Sequence, residues 1–96
     1  MKTLEQFKEI LALQKLELMR KYHLKKLGIF GSYVRGDETQ TSDLDVMVDF
    51  ESPIGLDFVT LAEELELLLG VKVDLVSVNA IKPRMMKSIK EELIYV

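Results

Sequence analysis

Between residues 43 and 50 the sequence reads DLDVMVDF, and this alternation constrains the fold more than any other stretch of the chain. Leu44, Val46, Val48 and Phe50 are apolar, and Asp43, Asp45, Met47 and Asp49 stand between them. Successive side chains of a strand leave opposite faces, so a period of two predicts a strand with one buried face and one acidic face.

The flanking sequence supplies elements to pack around that strand. Thr3 followed three residues later by Gln6 has the form of a capping box, and Leu4, Phe7, Leu11 and Leu18 then recur at helical spacing. A helix is expected from about 4 to 22, with Arg20, Lys21, Lys25 and Lys26 around its negative end. Residues 24–30, LKKLGIF, read as a strand running into a turn at Gly31, and the polar segment 33–42 reads as a loop. Ser52, Pro53 and Gly55 break the alternating strand. A second helix follows over about 56–69, with Phe58, Leu61, Leu65 and Leu69 in its apolar stripe and Gly70 as its stop. VKVDLVSV, residues 71–78, makes a third strand, and Pro83 opens a last helix to about 94. The order αβ, then βαβα, implies an α+β fold: a small mixed sheet packed with helices, in one domain over residues 1–96.

A chain of 96 residues has room for a single core. A domain this small buries only about two thirds of its unfolded surface, which leaves a homo-oligomer or a partner protein compatible with the sequence. With 13 basic and 16 acidic residues the net charge is -3, which argues against direct nucleic-acid binding through phosphates. There is no cysteine, hence no disulfide or thiolate metal site. No apolar run approaches the roughly 18 residues that span a bilayer, and MKTLEQFKEI is too charged for a secretory segment. No membrane association is expected, and the cytoplasm is the expected compartment.

The chemistry concentrates at six positions. Asp43 and Asp45 leave the same strand face about 6.5–7 Å apart at Cα. Two carboxylates so close repel unless a cation lies between them, and Mg²⁺ takes one or two protein carboxylates while leaving positions for phosphate oxygens. Asp74 interrupts an otherwise apolar strand, where a carboxylate facing the core would be strongly unfavourable. It is accounted for if the third strand lies beside the second and Asp74 faces the same cleft, as a further metal ligand or as a proton acceptor. Gly31 and Ser32 end the first strand, just before a segment expected to open with a helical turn; glycine lets backbone N–H groups approach a phosphate and serine adds a donor. Arg35 is within reach of a phosphate oxygen, although a structural ion pair is an equal reading for it. No Gly-Lys-Ser/Thr follows, so this is not a Walker loop, and the glycine and terminal glutamate of an EF-hand are missing.

Taken together, GSYVRGDETQTSDLDVMV resembles the Gly-Ser, ten-residue gap, Asp-x-Asp signature of the DNA polymerase beta-like nucleotidyltransferase superfamily. The Arg35-Gly36 and Ser42-Asp43 pairs, the GVKVDLVS segment and the closing EELIYV resemble its minimal nucleotidyltransferase (MNT) branch. The resemblance implies that Gly31 and Ser32 bind a nucleoside triphosphate, that Asp43 and Asp45 bind Mg²⁺, and that Asp74 is the third catalytic carboxylate. It implies transfer of a nucleoside monophosphate, AMP from ATP above all, to a hydroxyl. MNT domains often pair with a helical HEPN toxin, and some act as antitoxins that adenylylate it. The alternative is a non-catalytic antitoxin that acts by occlusion.

Two further groups are read as structural. Met85, Met86, Ile89, Leu93 and Ile94 on the last helix suit core packing better than a partner surface, and His23 suits the surface end of the first helix better than catalysis.

Overall fold

The computed structural model describes residues 2–53 and 55–96. Eight elements follow one another: α1 (Leu4–Tyr22), β1 (Leu24–Phe30), α2 (Ser32–Arg35), β2 (Leu44–Phe50), α3 (Asp57–Leu69), β3 (Val73–Ser77), α4 (Pro83–Glu92) and β4 (Ile94–Tyr95), with one 3₁₀ turn at Val78–Ala80. The strands lie in the order β3-β2-β1-β4. β1 is antiparallel to β2 and β4, and β2 is parallel to β3, so the sheet is mixed as expected.

Register assigns every strand residue to a face. Leu27 and Ile29 pair with Val48 and Val46, and Val46 pairs onward with Leu75. This face meets α1 and α3: Phe7, Leu11 and Leu18 from one helix and Leu61, Leu65 and Leu69 from the other are buried with Leu44, Val46 and Val48. α1 starts at the expected capping box, with the Thr3 N–H donating to Gln6 Oε1 at 2.8 Å and the Gln6 N–H to Thr3 Oγ1 at 3.2 Å. It ends at His23, exposed and left-handed at φ 56°. Glu64 of α3 ties the two helices, accepting from Tyr22 Oη at 2.6 Å and Lys21 Nζ at 2.9 Å.

The opposite face carries Phe30, Asp45 and Asp74 in one row and Gly28, Met47 and Val76 in the next. α4 lies across it. Met47, which alternation grouped with the acidic positions, is 2% exposed. Its face is the expected one; it is buried because α4 covers that part of the sheet, where Ile89 is also buried outside the main cluster. Asp49, further along the same face of β2, is partly exposed.

The segment after Gly31 opens with a helical turn, Ser32–Arg35, as expected; Tyr33 anchors it, its ring 5.2 Å edge-to-face from Phe7. Two local expectations differ from the structure. The last helix ends at Glu92, not near 94, because Leu93 turns extended and Ile94 and Tyr95 pair with Ile29 and Gly28. Branched and aromatic residues favour a strand wherever a sheet edge is free to receive them. The third strand, expected over 71–78, starts two residues later and runs over Val73–Ser77, its end cut off by the 3₁₀ turn.

Candidate active site

The site is built where three chain segments meet at one end of the second sheet face. Asp45 in β2 stands directly beside Asp74 in β3, because parallel pairing puts them in register. On its other side Asp45 pairs with Phe30, the residue before Gly31. The chain must turn sharply there, and Gly31 adopts φ 84°, ψ -154°, which only glycine tolerates. A Cβ at this position would collide with the Asp45 carboxylate, lying 2.8 Å from its Cγ. The glycine of the turn and the aspartate of the strand are therefore one steric unit.

Gly31, Arg35, Asp45 and Asp74 line a common cavity of about 900 Å³, closed on the far side by Ile81, Lys82, Arg84, Met85, Ser88, Ile89 and Glu92. Ser32 and Asp43 are not in its lining. Ser32 opens α2, and its carbonyl accepts from the Gly36 and Asp37 N–H groups at 2.9 and 3.1 Å. Asp43 is exposed, one residue ahead of β2. It still acts on the pair at a distance. Burial first, then the Asp74 carboxylate and its hydrogen bond, then the Asp43 charge push the Asp45 carboxyl up to about 6, and Arg35 opposes them only weakly.

The trio expected from the sequence is in fact a close pair with an outlying third member. Among the described residues no three carboxylate or histidine side chains are gathered as a ready-made metal cage. Asp43 lies one residue ahead of β2, exposed and outside the cavity lining, while Asp45 and Asp74 are paired within the sheet. The donor set nevertheless fits a hard divalent ion. It is all oxygen, and its two closest members, Asp45 and Asp74, stand in register on neighbouring strands.

Arg35 fulfils the ion-pair reading. Its Nη1 donates to Glu92 Oε2 at 3.0 Å and to Oε1 at 3.2 Å, and its Nε donates to Asp37 at 3.2 Å. Asp37 and then Glu92 hold it firmly in its charged form. Glu92 Oε1 also accepts the Gly31 N–H at 2.9 Å. Sequence reading missed Glu92. An arginine needs an acid partner, but with 16 carboxylates in the chain nothing local selects this one. It also left Met85 and Ile89 as one apolar set, whereas Ile89 is buried and Met85 is 59% exposed on the cavity wall.

A mixed sheet that sets two neighbouring carboxylates against a glycine-serine turn is the layout of a nucleotidyl-transferring domain, and the sequence matches the nucleotidyltransferase domain family over residues 5–96. The chain belongs to that family. Among its relatives, protein adenylyltransferase MntA of Thermococcus cleftensis is 44% identical over 97 residues, covering all of this chain and 98% of that one. MJ0128 of Methanocaldococcus jannaschii, provisionally named a protein adenylyltransferase, is 50% identical over 98 residues and the whole of both chains. Among solved structures, one described provisionally as a minimal nucleotidyltransferase is 34% identical with a TM-score of 0.76, over 94% of this chain and 95% of that one. A Y104A mutant of the toxin–antitoxin MntA–HpeT is 25% identical with a TM-score of 0.70, over 88% and 70% of the two chains.

Proposed function

We propose that this nucleotidyltransferase moves AMP from ATP to a hydroxyl of a helical partner protein of the HEPN kind, with Mg²⁺, and so acts as an antitoxin in the cytoplasm. The observation that carries the reading is the side-by-side placement of Asp45 and Asp74 in front of Gly31 and Arg35 within one cavity. The relatives named as protein adenylyltransferases over their full length, and the toxin–antitoxin structure of like fold, support the choice of AMP and of a protein acceptor.

In this reading Gly31, Ser32 and Arg35 hold the phosphate tail, through backbone N–H groups, a hydroxyl and a guanidinium. Asp43, Asp45 and Asp74 would hold Mg²⁺, which offsets phosphate charge and favours the ionised acceptor. Asp74, more exposed than Asp45, receives the proton of the acceptor hydroxyl. The hydroxyl oxygen bonds to the α-phosphorus, the bond to the β-phosphate oxygen breaks, and pyrophosphate departs. The cavity wall at Phe58, Ile81 and Met85 is apolar and shields one side of the bound nucleotide from water.

The test is incubation with Mg²⁺, labelled ATP and the protein encoded beside this one. Label is expected on that protein with the wild type and not with Asp43→Asn. Neutralisation of the partner by Asp43→Asn at full strength, with no label transferred by either form, would mean occlusion and overturn the catalytic reading.

A further inference from the structure

The nucleotide reading assigns the Gly31 N–H and Arg35 to phosphate oxygens, yet both donors already have an anionic acceptor. It is the carboxylate of Glu92, 61 residues further along the chain. Its side chain is only 21% exposed and lines the same cavity as Asp45 and Asp74. A carboxylate and a phosphate oxygen are equivalent partners for these donors, since both accept charge-assisted hydrogen bonds. A single N–H directed at one acceptor cannot serve both. Were Glu92 to stay in place, its negative charge would also stand against the triphosphate in a partly desolvated pocket, where like charges interact strongly.

We propose, on the basis of the nucleotide reading above, that Glu92 is a built-in stand-in for phosphate. It keeps the Gly31 turn and Arg35 in their binding arrangement while the cavity is empty of nucleotide, and it swings out when a triphosphate enters. The swing is a side-chain rotation and not a helix movement. Immediately after Glu92 the chain is fastened to β1, through Ile94 and Tyr95 paired with Ile29 and Gly28 and through the Val96 N–H on the Leu27 carbonyl at 2.9 Å. Staggered side-chain torsions give the carboxylate other positions without disturbing that strand. Every nucleotide that binds must first displace Glu92, so the measured affinity is lower than the donors alone would provide.

The competing role, a positioning residue that stays bonded to Arg35 beside the nucleotide, predicts the opposite sign. Glu92→Gln and Glu92→Ala are to be compared with wild type by calorimetric titration with ATP and with inorganic tripolyphosphate, both in the presence of Mg²⁺. Circular dichroism melts of each variant check that it is folded. The stand-in predicts dissociation constants five- to tenfold lower than wild type for both ligands. Equal or weaker binding by the folded variants overturns it. A measurement that needs no variant is the side-chain carboxyl resonance of Glu92 in ¹³C-labelled wild type. It is expected to shift on adding Mg²⁺ and ATP, and an unmoved resonance under saturating nucleotide overturns the inference. Binding by wild type with no gain in the variants removes this inference alone. Absence of binding by every form removes the nucleotide reading and the inference with it.

Discussion

The two faces of the sheet are built to different rules. Toward α1 and α3 the strand positions are apolar apart from Ser77 at the end of β3, and Leu44, Val46, Val48, Ile29, Leu61 and Leu65 are fully buried. Toward α4 the same strands present Asp45, Asp74 and Gly28 beside Met47, and a cavity of about 900 Å³ lies beneath the helix. The first face is where burial of apolar surface is maximised, and it holds the domain together. The second gives up burial to gather like charges, which is expected of a working site. Stability is therefore concentrated on one side of a sheet one strand thick, and chemistry on the other.

Several measurements would break or sharpen that contrast, beginning with the largest effect. Asp74→Asn should lower the rate of AMP transfer about 10²–10⁴-fold, the span usual for removing a proton acceptor, and leave the thermal melt close to wild type. A large fall in melting temperature would place Asp74 in the stabilising half instead. Leu65→Ala, on the sealed side, should cost about 2–5 kcal/mol and lower the melting temperature by at least about 10 °C, whereas Met85→Ala on the cavity wall should stay within about 0.5 kcal/mol. Comparable losses from the two truncations would erase the distinction between the faces.

Asp45→Asn should stabilise the protein while abolishing transfer. The Asp45 carboxyl is raised from 3.8 to about 6, so the folded state favours its protonated form; the contribution is full below pH 3.8 and is lost as pH rises through 6. Removing the charge should thus raise stability at pH 7.5. A two-unit shift corresponds to about 3 kcal/mol, but the group is partly exposed, and a gain of about 1–2 kcal/mol is expected after screening. The gain should fade toward pH 4 in melts run across that range.

Tyr22→Phe is the smallest of the series. It removes the 2.6 Å bond to Glu64 and should cost about 1 kcal/mol at pH 7. That bond, followed by the one from Lys21, lowers the Glu64 pKa, so its contribution is present above pH 4.5 and declines as pH falls further. Urea titrations of both forms at pH 7 and pH 3 should show the difference shrinking.

How far the sequence disclosed each face follows from the range of the forces that shape it. The sealed face was legible because its pattern is local: helical spacing in Leu61, Leu65 and Leu69, and a period of two in Leu44, Val46 and Val48, each state a direction of burial without reference to any partner. The pairing of Asp45 with Asp74 followed from an energetic conflict, a carboxylate set among apolar residues, which only one arrangement of strands relieves. The β4 pairing was not legible. Ile94 and Tyr95 continue a helical run, and only the vacant edge of β1, more than 60 residues earlier, decides otherwise. Glu92 was hidden for the same reason, since its partners Gly31 and Arg35 are 61 and 57 residues away. The burial of Met47 likewise depends on where α4 comes to rest and not on its neighbours in the chain.

Gly28 makes that long-range dependence mechanical. A side chain there would press on Leu93 Cδ1 at 2.8 Å, which a rotation of the leucine relieves, and on the Ile94 carbonyl at 3.1 Å, which must give by a few tenths of an ångström. Position 28 does not line the cavity, yet it is the fulcrum on which residues 92–95 rest. An added methyl group nudges the Ile94 backbone slightly, and larger side chains press harder on the segment that carries the acid two residues before Ile94. Turnover could in this way be tuned from a spot that no ligand ever touches.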